Sequence, residues 1–343
     1  MPVCAVVSFR LGLADGVSVV ARGWERALRD LGFDVVTVAG EGPVDVVLPG
    51  LAISAVGPPS NEELKAALAS ADVVVVENLC TIPLNLPAAR ATGRVLAGRP
   101  AVMHHHDPSW QLPQHAHVTE LPLDDRAWRH VVINRHTTLE LACRGIESTL
   151  IYNGFDTDPA PGNRDATRHA LGVSAEQRLL LHPVRAIQRK NVPRALQLAT
   201  ELSATYWLTG PAEDGYGETL AALLDNADCP VIHQPSPGTV HDAYAAADAI
   251  VFPSIREGFG NPPVEAALDL RPAAVGHYAV ADELRELGFQ WFEPDEPATL
   301  DAFLREPDQS LLDHNRQVAM EHFSYERMAK GIERLFDGAG WLP

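Results

Sequence analysis

Short runs of apolar, β-branched residues alternate with amphipathic stretches rich in Ala and Leu along the whole chain. Residues 3–9 predict a strand, and 17–31 a helix closed by Gly32. Then come 34–38 as a strand, 61–69 as a helix, and 72–77 as a strand built on four valines. Further strands are predicted at 100–104 and 131–133, and a helix at 137–144 ended by Gly145. Strands with no polar face, each followed by a helix, indicate a parallel sheet covered on both sides.

The stretch 153–168 (NGFDTDPAPGNRDATR) interrupts this rhythm. It holds few apolar residues, an Asn-Gly pair and two prolines, and it predicts a linker. The alternation then restarts, with strands at 179–183, 205–209, 231–233 and 249–252. Helices are predicted at 192–202, 217–226 and 240–246. The reading is therefore α/β, with two Rossmann-like, doubly wound domains. Doubly wound sheets bind ligands beyond the C-terminal ends of their strands, so a crevice between the halves is expected.

Charge narrows the partners. Lys and Arg number 27 against 45 Asp and Glu, a net charge of −18. Such acidity argues against nucleic acid or anionic lipid as the main partner, and any phosphate ligand must find a local basic patch. Cys4, Cys80, Cys143 and Cys229 are scattered and read as small buried hydrophobes in a reducing compartment. Without a signal peptide or an apolar run of membrane-spanning length, a cytoplasmic protein is expected.

The basic patch lies inside the more acidic second half. Residues 177–200 hold Arg178, Arg185, Arg189, Lys190 and Arg194 and no carboxylate. Their core, HPVRAIQRKN, follows a strand and precedes a helix. Arg offers a planar fork to phosphate and Lys a compact charge. A solvated loop with cations at a helix start is the rival reading.

A second constellation, SIREGFGNPPVEAAL, also follows a strand and enters a helix. Glu257 and Glu265 flank Gly258, Phe259, Gly260, Asn261 and a proline pair. Glycines allow close approach of the backbone to a ligand, Asn261 suits an N-cap, and proline suits the first turn. Amides at such a helix start suit a diphosphate, and Glu265 could accept both hydrogen bonds of a ribose diol. A capped helix with a solvated carboxylate is the alternative.

In this order the features resemble the retaining GT-B glycosyltransferases of family 4 over most of the chain. The Gly-rich loop RLGLADGVS resembles that family's opening. YNGFD at 152–156 resembles the end of its first domain, DAYAAADAIVFPSIREGFGNPPVEAAL its most diagnostic stretch, and HFSYERMA its final helix. The resemblance implies two domains facing across a cleft. One is an acceptor-side domain, 1–157, rejoined by the C-terminal helix 323–343. The other is a donor-binding domain, 158–322.

It further implies that Glu257 meets the transferred sugar and Glu265 the ribose. Arg185 and Lys190, with Gly16, Gly258, Phe259 and Gly260, would hold the diphosphate. His233, Gln234 and Pro235 would surround the base. HHHDPSW at 104–110 resembles the family's His-Asp pair near the donor sugar, with His106 the best match and His104 and His105 competing. Asp15, His105 and Trp110 are placed on the acceptor side. Neither cofactor nor metal is implied. Three adjacent histidines alternate in direction along a strand, which disfavours one shared ion.

The expected activity is metal-independent, retaining transfer of a hexose from a nucleotide sugar, UDP-linked rather than GDP-linked, to an acceptor hydroxyl. That acceptor is a sugar, a glycoside or a small metabolite. Alternatives are a GT-B sugar-nucleotide 2-epimerase and a non-catalytic nucleotide-sugar-binding subunit. The loop LDLRPAAVGHYAVADEL departs from the family in lacking its glycines and carrying His277 and Tyr278. The donor sugar is therefore left open, as is the oligomeric state.

Overall fold

The computed structural model describes residues 1–13 and 15–343; Ala14, within the Gly-rich first loop, lies outside the described residues. The chain divides into two units, Met1–Gly154 with Tyr325–Pro343, and Phe155–Ser324.

The first unit runs β1 (Val3–Arg10), α1 (Gly16–Asp30), β2 (Asp34–Glu41), β3 (Val46–Val47), α2 (Asn61–Ala67), β4 (Val73–Glu77) and α3 (Leu86–Leu96). It continues with β5 (Ala101–His105), β6 (Trp128–Val132), α4 (Arg135–Cys143) and β7 (Ser148–Leu150). The sheet is parallel throughout, in the order β3-β2-β1-β4-β5-β6-β7. Alternation along β1 splits the core. Ala5, Val7 and Phe9 pack on one face with Leu64, Ala88 and Leu96. Cys4 and Val6 face the other way, toward Trp24, Leu28, Ile332 and Phe336. Each strand thus feeds two apolar layers, which is why it carries no polar face.

The second unit contains α5 (Arg164–Leu171), β8 (Leu179–His182), α6 (Val192–Glu201), β9 (Thr205–Leu208), α7 (Gly217–Asp225), β10 (Val231–His233) and α8 (Val240–Ala246). Then follow β11 (Ala249–Phe252), α9 (Asn261–Leu268), β12 (Ala273–Val275), α10 (Ala279–Glu286), α11 (Pro297–Arg305) and α12 (Gln309–Phe323). Its parallel sheet has the order β10-β9-β8-β11-β12. The last helix, α13 (Tyr325–Ala339), belongs to the first unit. Among the described residues no helix is long and apolar enough to cross a membrane.

Two sequence expectations are corrected. The predicted linker 153–168 is helical from Arg164, because this helix is anchored by cations rather than apolar residues. Arg164 bonds Asp248 at 2.5 Å and three carbonyls of residues 245–247. Arg168, 3% exposed, bonds the Ala246 carbonyl at 2.8 Å and lies 3.3 Å from Asp248. The cysteines are unpaired as expected but not uniformly buried. Cys4 and Cys80 are sealed, and burial pushes both thiols up to about 12. Cys229 is half-buried, and Cys143 is exposed at the end of α4.

Candidate active site

Strands β8 and β11 are neighbours in the second sheet, so the loops leaving their C-terminal ends lie side by side. They are the two constellations singled out from sequence. The turn 188–190 docks on the 253–257 loop through its backbone: Ile255 N donates to the Arg189 carbonyl at 3.0 Å. Arg189 Nη1 donates to the Arg256 carbonyl at 2.9 Å. Asn191 adopts a left-handed φ of 54° and donates to the Pro253 carbonyl at 3.3 Å.

This docking brings two cations onto one carboxylate. Lys190 Nζ lies 2.6 Å from Glu257 Oε1, and Arg189 donates to Oε2. The ammonium also sits 4.9 Å from the centre of the Phe252 ring. Glu257 is buried, yet the facing Lys190 and Arg189 outweigh burial and lower its carboxyl to about 2. Burial holds Lys190 below its ordinary range, opposed by Glu257. Behind them His182, bonded through Nδ1 to Tyr206 Oη at 2.8 Å, is held at about 3 by burial and by Lys190. It is a neutral ring below a charged set.

The acid-free stretch is therefore acid-free only along the sequence. Arg185 pairs with Glu213 at 2.5 Å, Arg178 with Asp301 at 2.7 Å and Arg194 with Glu201 at 3.2 Å. Arg185 and Glu213 both remain partly exposed. Each phosphate-binding candidate already holds a carboxylate.

Gly260, not Asn261, is the N-cap of α9, a correction to the expected cap. Its φ of 100° is left-handed, and a Cβ there would lie 2.5 Å from the Tyr278 hydroxyl, so glycine is required twice over. Asn261 opens the helix, and Pro262 and Pro263 bring no N–H to its first turn. Amide donors must come instead from the backbone of residues 258–261 and from Val264. Phe259 is buried against Phe323, ring centres 5.6 Å apart, so only its backbone could serve a ligand. Glu265 receives the Tyr244 hydroxyl on Oε2 at 2.5 Å, while Oε1 accepts no hydrogen bond among the described residues. Burial raises the Glu265 carboxyl. At the end of β10, His233, Gln234 and Pro235 are exposed. His233 Nε2 contacts the Gly210 carbonyl at 3.0 Å, and the Gln234 carbonyl accepts from Trp207 Nε1 at 2.9 Å.

In the first unit the histidine run separates by face. His104 and His106 turn to Glu77, the last residue of β4. His104 Nδ1 is 2.9 Å and His106 Nε2 2.8 Å from Glu77 Oε2. His105 turns the other way, with Nδ1 2.6 Å from Thr81 Oγ1 and Nε2 2.8 Å from His130 Nδ1. Both of its ring nitrogens are engaged, which leaves none for the acceptor role expected of it. Asp15 is likewise committed, capping α1 through Ser18 N at 3.2 Å and taking the Ser18 hydroxyl at 2.7 Å. Arg10 lies 3.4 Å from it. Gly16 begins α1, and a Cβ there would meet open space. Trp110 donates to Glu140 at 2.8 Å, and Arg144 covers its ring at 3.9 Å.

Among the described residues one group of three, Glu77, His104 and His106, could gather around a cation. In the described geometry the three form a hydrogen-bonded set. The ring nitrogens facing Glu77 donate to it, and among the described residues His104 Nε2 has no hydrogen-bond partner. Sequence reasoning missed Glu77, Glu213 and Tyr244, and counted Arg189 only as one cation of the basic patch. Of the three missed, only Glu77 left a trace, as a carboxylate ending a run of four valines.

Comparison with known proteins bears on this geometry. No protein-family model matches the chain. The mannosylglucosylglycerate synthase of Thermotoga maritima is 22% identical, over 96% of this chain and 98% of that protein. That of Petrotoga mobilis is 24% identical, over 83% and 85%. The structure of Anabaena HepE with UDP-glucose superimposes with a TM-score of 0.80, at 19% identity, over 98% of this chain and 99% of that one. The chain has the GT-B fold. In this GT-B fold the Arg189–Lys190–Glu257 set and the Tyr244–Glu265 pair belong to the second unit. The Glu77–His104–His106 set occupies the strand ends of the first.

Proposed function

We propose that this hexosyltransferase moves a sugar from a nucleoside-diphosphate donor, UDP-linked rather than GDP-linked, to an acceptor hydroxyl. Transfer retains the anomeric configuration, needs no metal ion and takes place in the cytoplasm. The observation that carries this reading is the convergence of Arg189, Lys190 and Glu257 from two loops at adjoining strand ends. Departure of a diphosphate builds negative charge, which fixed cations stabilise more in the transition state than in the ground state. Lys190, Arg189 and Arg185 are those cations. On donor binding they exchange Glu257 and Glu213 for phosphate oxygens, and the freed Glu257 carboxylate turns to the hydroxyls of the transferred sugar. Glu265, held on one oxygen by Tyr244, takes the ribose with the other. The backbone of Gly258, Phe259 and Gly260 lines the diphosphate, with Gly16 also assigned to it. The exposed segment His233–Gln234–Pro235 meets the base. His106 serves the transferred sugar. The leaving phosphate accepts the acceptor's proton as the new bond forms on the face the diphosphate leaves.

The solved HepE complex with UDP-glucose supports a UDP donor. The names of the two relatives make a small glycoside the first acceptor to test and bring mannose into the donor screen, linked to UDP and to GDP alike. Ligand binding to the native state must raise the unfolding temperature. We expect UDP to raise it more than GDP, one nucleotide sugar to turn over in chelator, and the product to keep the donor's anomeric configuration. If no nucleoside diphosphate or its sugar shifts unfolding, the reading is wrong.

A further inference from the structure

The geometry points to Glu77 as the residue that positions His106, fixing its ring with Nε2–H toward β4 and Nδ1 toward the substrate sugar. Three observations carry this. First, Glu77 is wholly buried, and both ring nitrogens within reach of its carboxylate belong to histidines, at 2.8 and 2.9 Å. Facing these imidazoles, the carboxyl is held at about 2 despite burial. An ionised carboxylate only accepts, so each facing nitrogen carries its hydrogen. The tautomers follow: Nδ1–H on His104 and Nε2–H on His106.

Second, the two rings differ in their remaining nitrogen. His104 Nε2 is sealed without a partner, under Trp24 at 4.5 Å between ring centres. His106 Nδ1 also has no partner among the described residues, yet it is not closed off from solvent. His106 is therefore the outlet of the set and His104 its inner support. The rings lie 4.4 Å apart, so one cannot turn without disturbing the other.

Third, the next residue fixes the backbone. Asn78 has a left-handed φ of 59°, and its Oδ1 accepts from the amides of both His106 and Asp107 at 3.2 Å. Consecutive residues at the end of β4 thus hold the ring and the main chain of one loop. With Nε2–H committed to Glu77, Nδ1 is the ring nitrogen left to meet a sugar hydroxyl. The Glu77 charge stabilises the imidazolium if that nitrogen takes a proton, the orienting role a carboxylate plays behind a histidine base. Aligned to accept, His106 acts on the sugar; turned over, it would present a donor in the same place.

This inference rests on His106 serving the transfer reaction, so its first test is independent of turnover. Nitrogen-15 spectra of the histidine rings in the full wild-type chain should show His106 protonated on Nε2. They should show a mixture of tautomers in Glu77→Gln, whose amide has one accepting oxygen for two rings. Wild-type His106 protonated on Nδ1 alone overturns the proposal even if Glu77→Gln does not fold. So does one tightly held equivalent of divalent metal whose removal shifts these ring signals. In activity, Glu77→Gln should lower kcat at least tenfold, with donor KM within threefold. The same substitution in a His106→Gln background should cost less than twofold more. Additive losses, or a change confined to KM, would show that Glu77 acts through packing.

Discussion

Glu257→Gln tests the ion set in the second unit most directly. The substitution keeps the side chain's shape and removes the charge that Lys190 and Arg189 share. The Glu257 carboxyl falls from an ordinary 4.5 to about 2, which corresponds to about 3 kcal/mol of native-state stabilisation at neutral pH. Burial disfavours the charged Lys190, which offsets part of this gain. Removing the buried carboxylate, however, leaves two part-buried cations facing a neutral group, a change whose cost reaches about 3–5 kcal/mol at fully buried pairs. A net loss of about 3 kcal/mol lowers the unfolding midpoint of a unit this size by roughly 6–12 °C. The same change removes the carboxylate charge that faces both cations, so UDP no longer competes with it. We expect UDP to bind about tenfold more tightly, in line with one charge-assisted hydrogen bond. Turnover should collapse. Thermal unfolding with and without UDP, together with a calorimetric titration, reads both effects. An unchanged midpoint with unchanged UDP affinity would refute the pairing and the exchange of partners built on it.

Lys190→Ala should act in the opposite direction on the ligand, weakening UDP at least tenfold in the same titration while also lowering the midpoint. Tyr244→Phe removes the hydroxyl that holds Glu265, and donor KM should rise several-fold with kcat nearly kept; an equal fall in kcat would count against the ribose assignment. Glu77 and Glu257 both sit at about 2, below the ordinary 4.5. The native state therefore binds fewer protons than the unfolded one between those values. Their stabilisation is complete above about pH 4.5 and is lost as pH falls toward 2. Unfolding midpoints measured at pH 6, 4.5 and 3 should drop mainly over the last interval.

Much of the fold was legible because each buried strand is a block of apolar residues. Residues 231–233, 240–246 and 249–252 coincide with their observed elements. Helix α3 escaped notice because its sequence, LPAARATGRVL, contains a glycine and two β-branched residues. That glycine packs closely, since a Cβ there would lie 2.6 Å from Leu123. The site was legible where function concentrates unlike residues in one short loop, as in the arginine-rich turn after β8 and the glycine-rich loop after β11. Partners from elsewhere in the chain were not. Glu213, Tyr244 and Glu77 each reach their partners, within their own unit, through the arrangement of separate elements, such as Glu77 opposite His104, and one strand's pattern cannot reveal its neighbour. The alternation argument correctly sent His105 away from His104 and His106. It did not foresee that the remaining two would share a carboxylate.

The uneven placement of the cysteines turns the molecule into its own clock. Cys143 should react with a thiol reagent at once, and half-buried Cys229 more slowly. Cys4 and Cys80, both in the first unit, should react only when that unit opens. Counting the late pair gives the opening rate of the first unit alone, without interference from the second, whose only thiol has by then been consumed. A ligand that delays the late pair must stabilise the first unit against opening. One that slows only Cys229 marks an effect confined to the second. Four scattered thiols can therefore assign ligand effects to a domain in an unlabelled, unmutated chain.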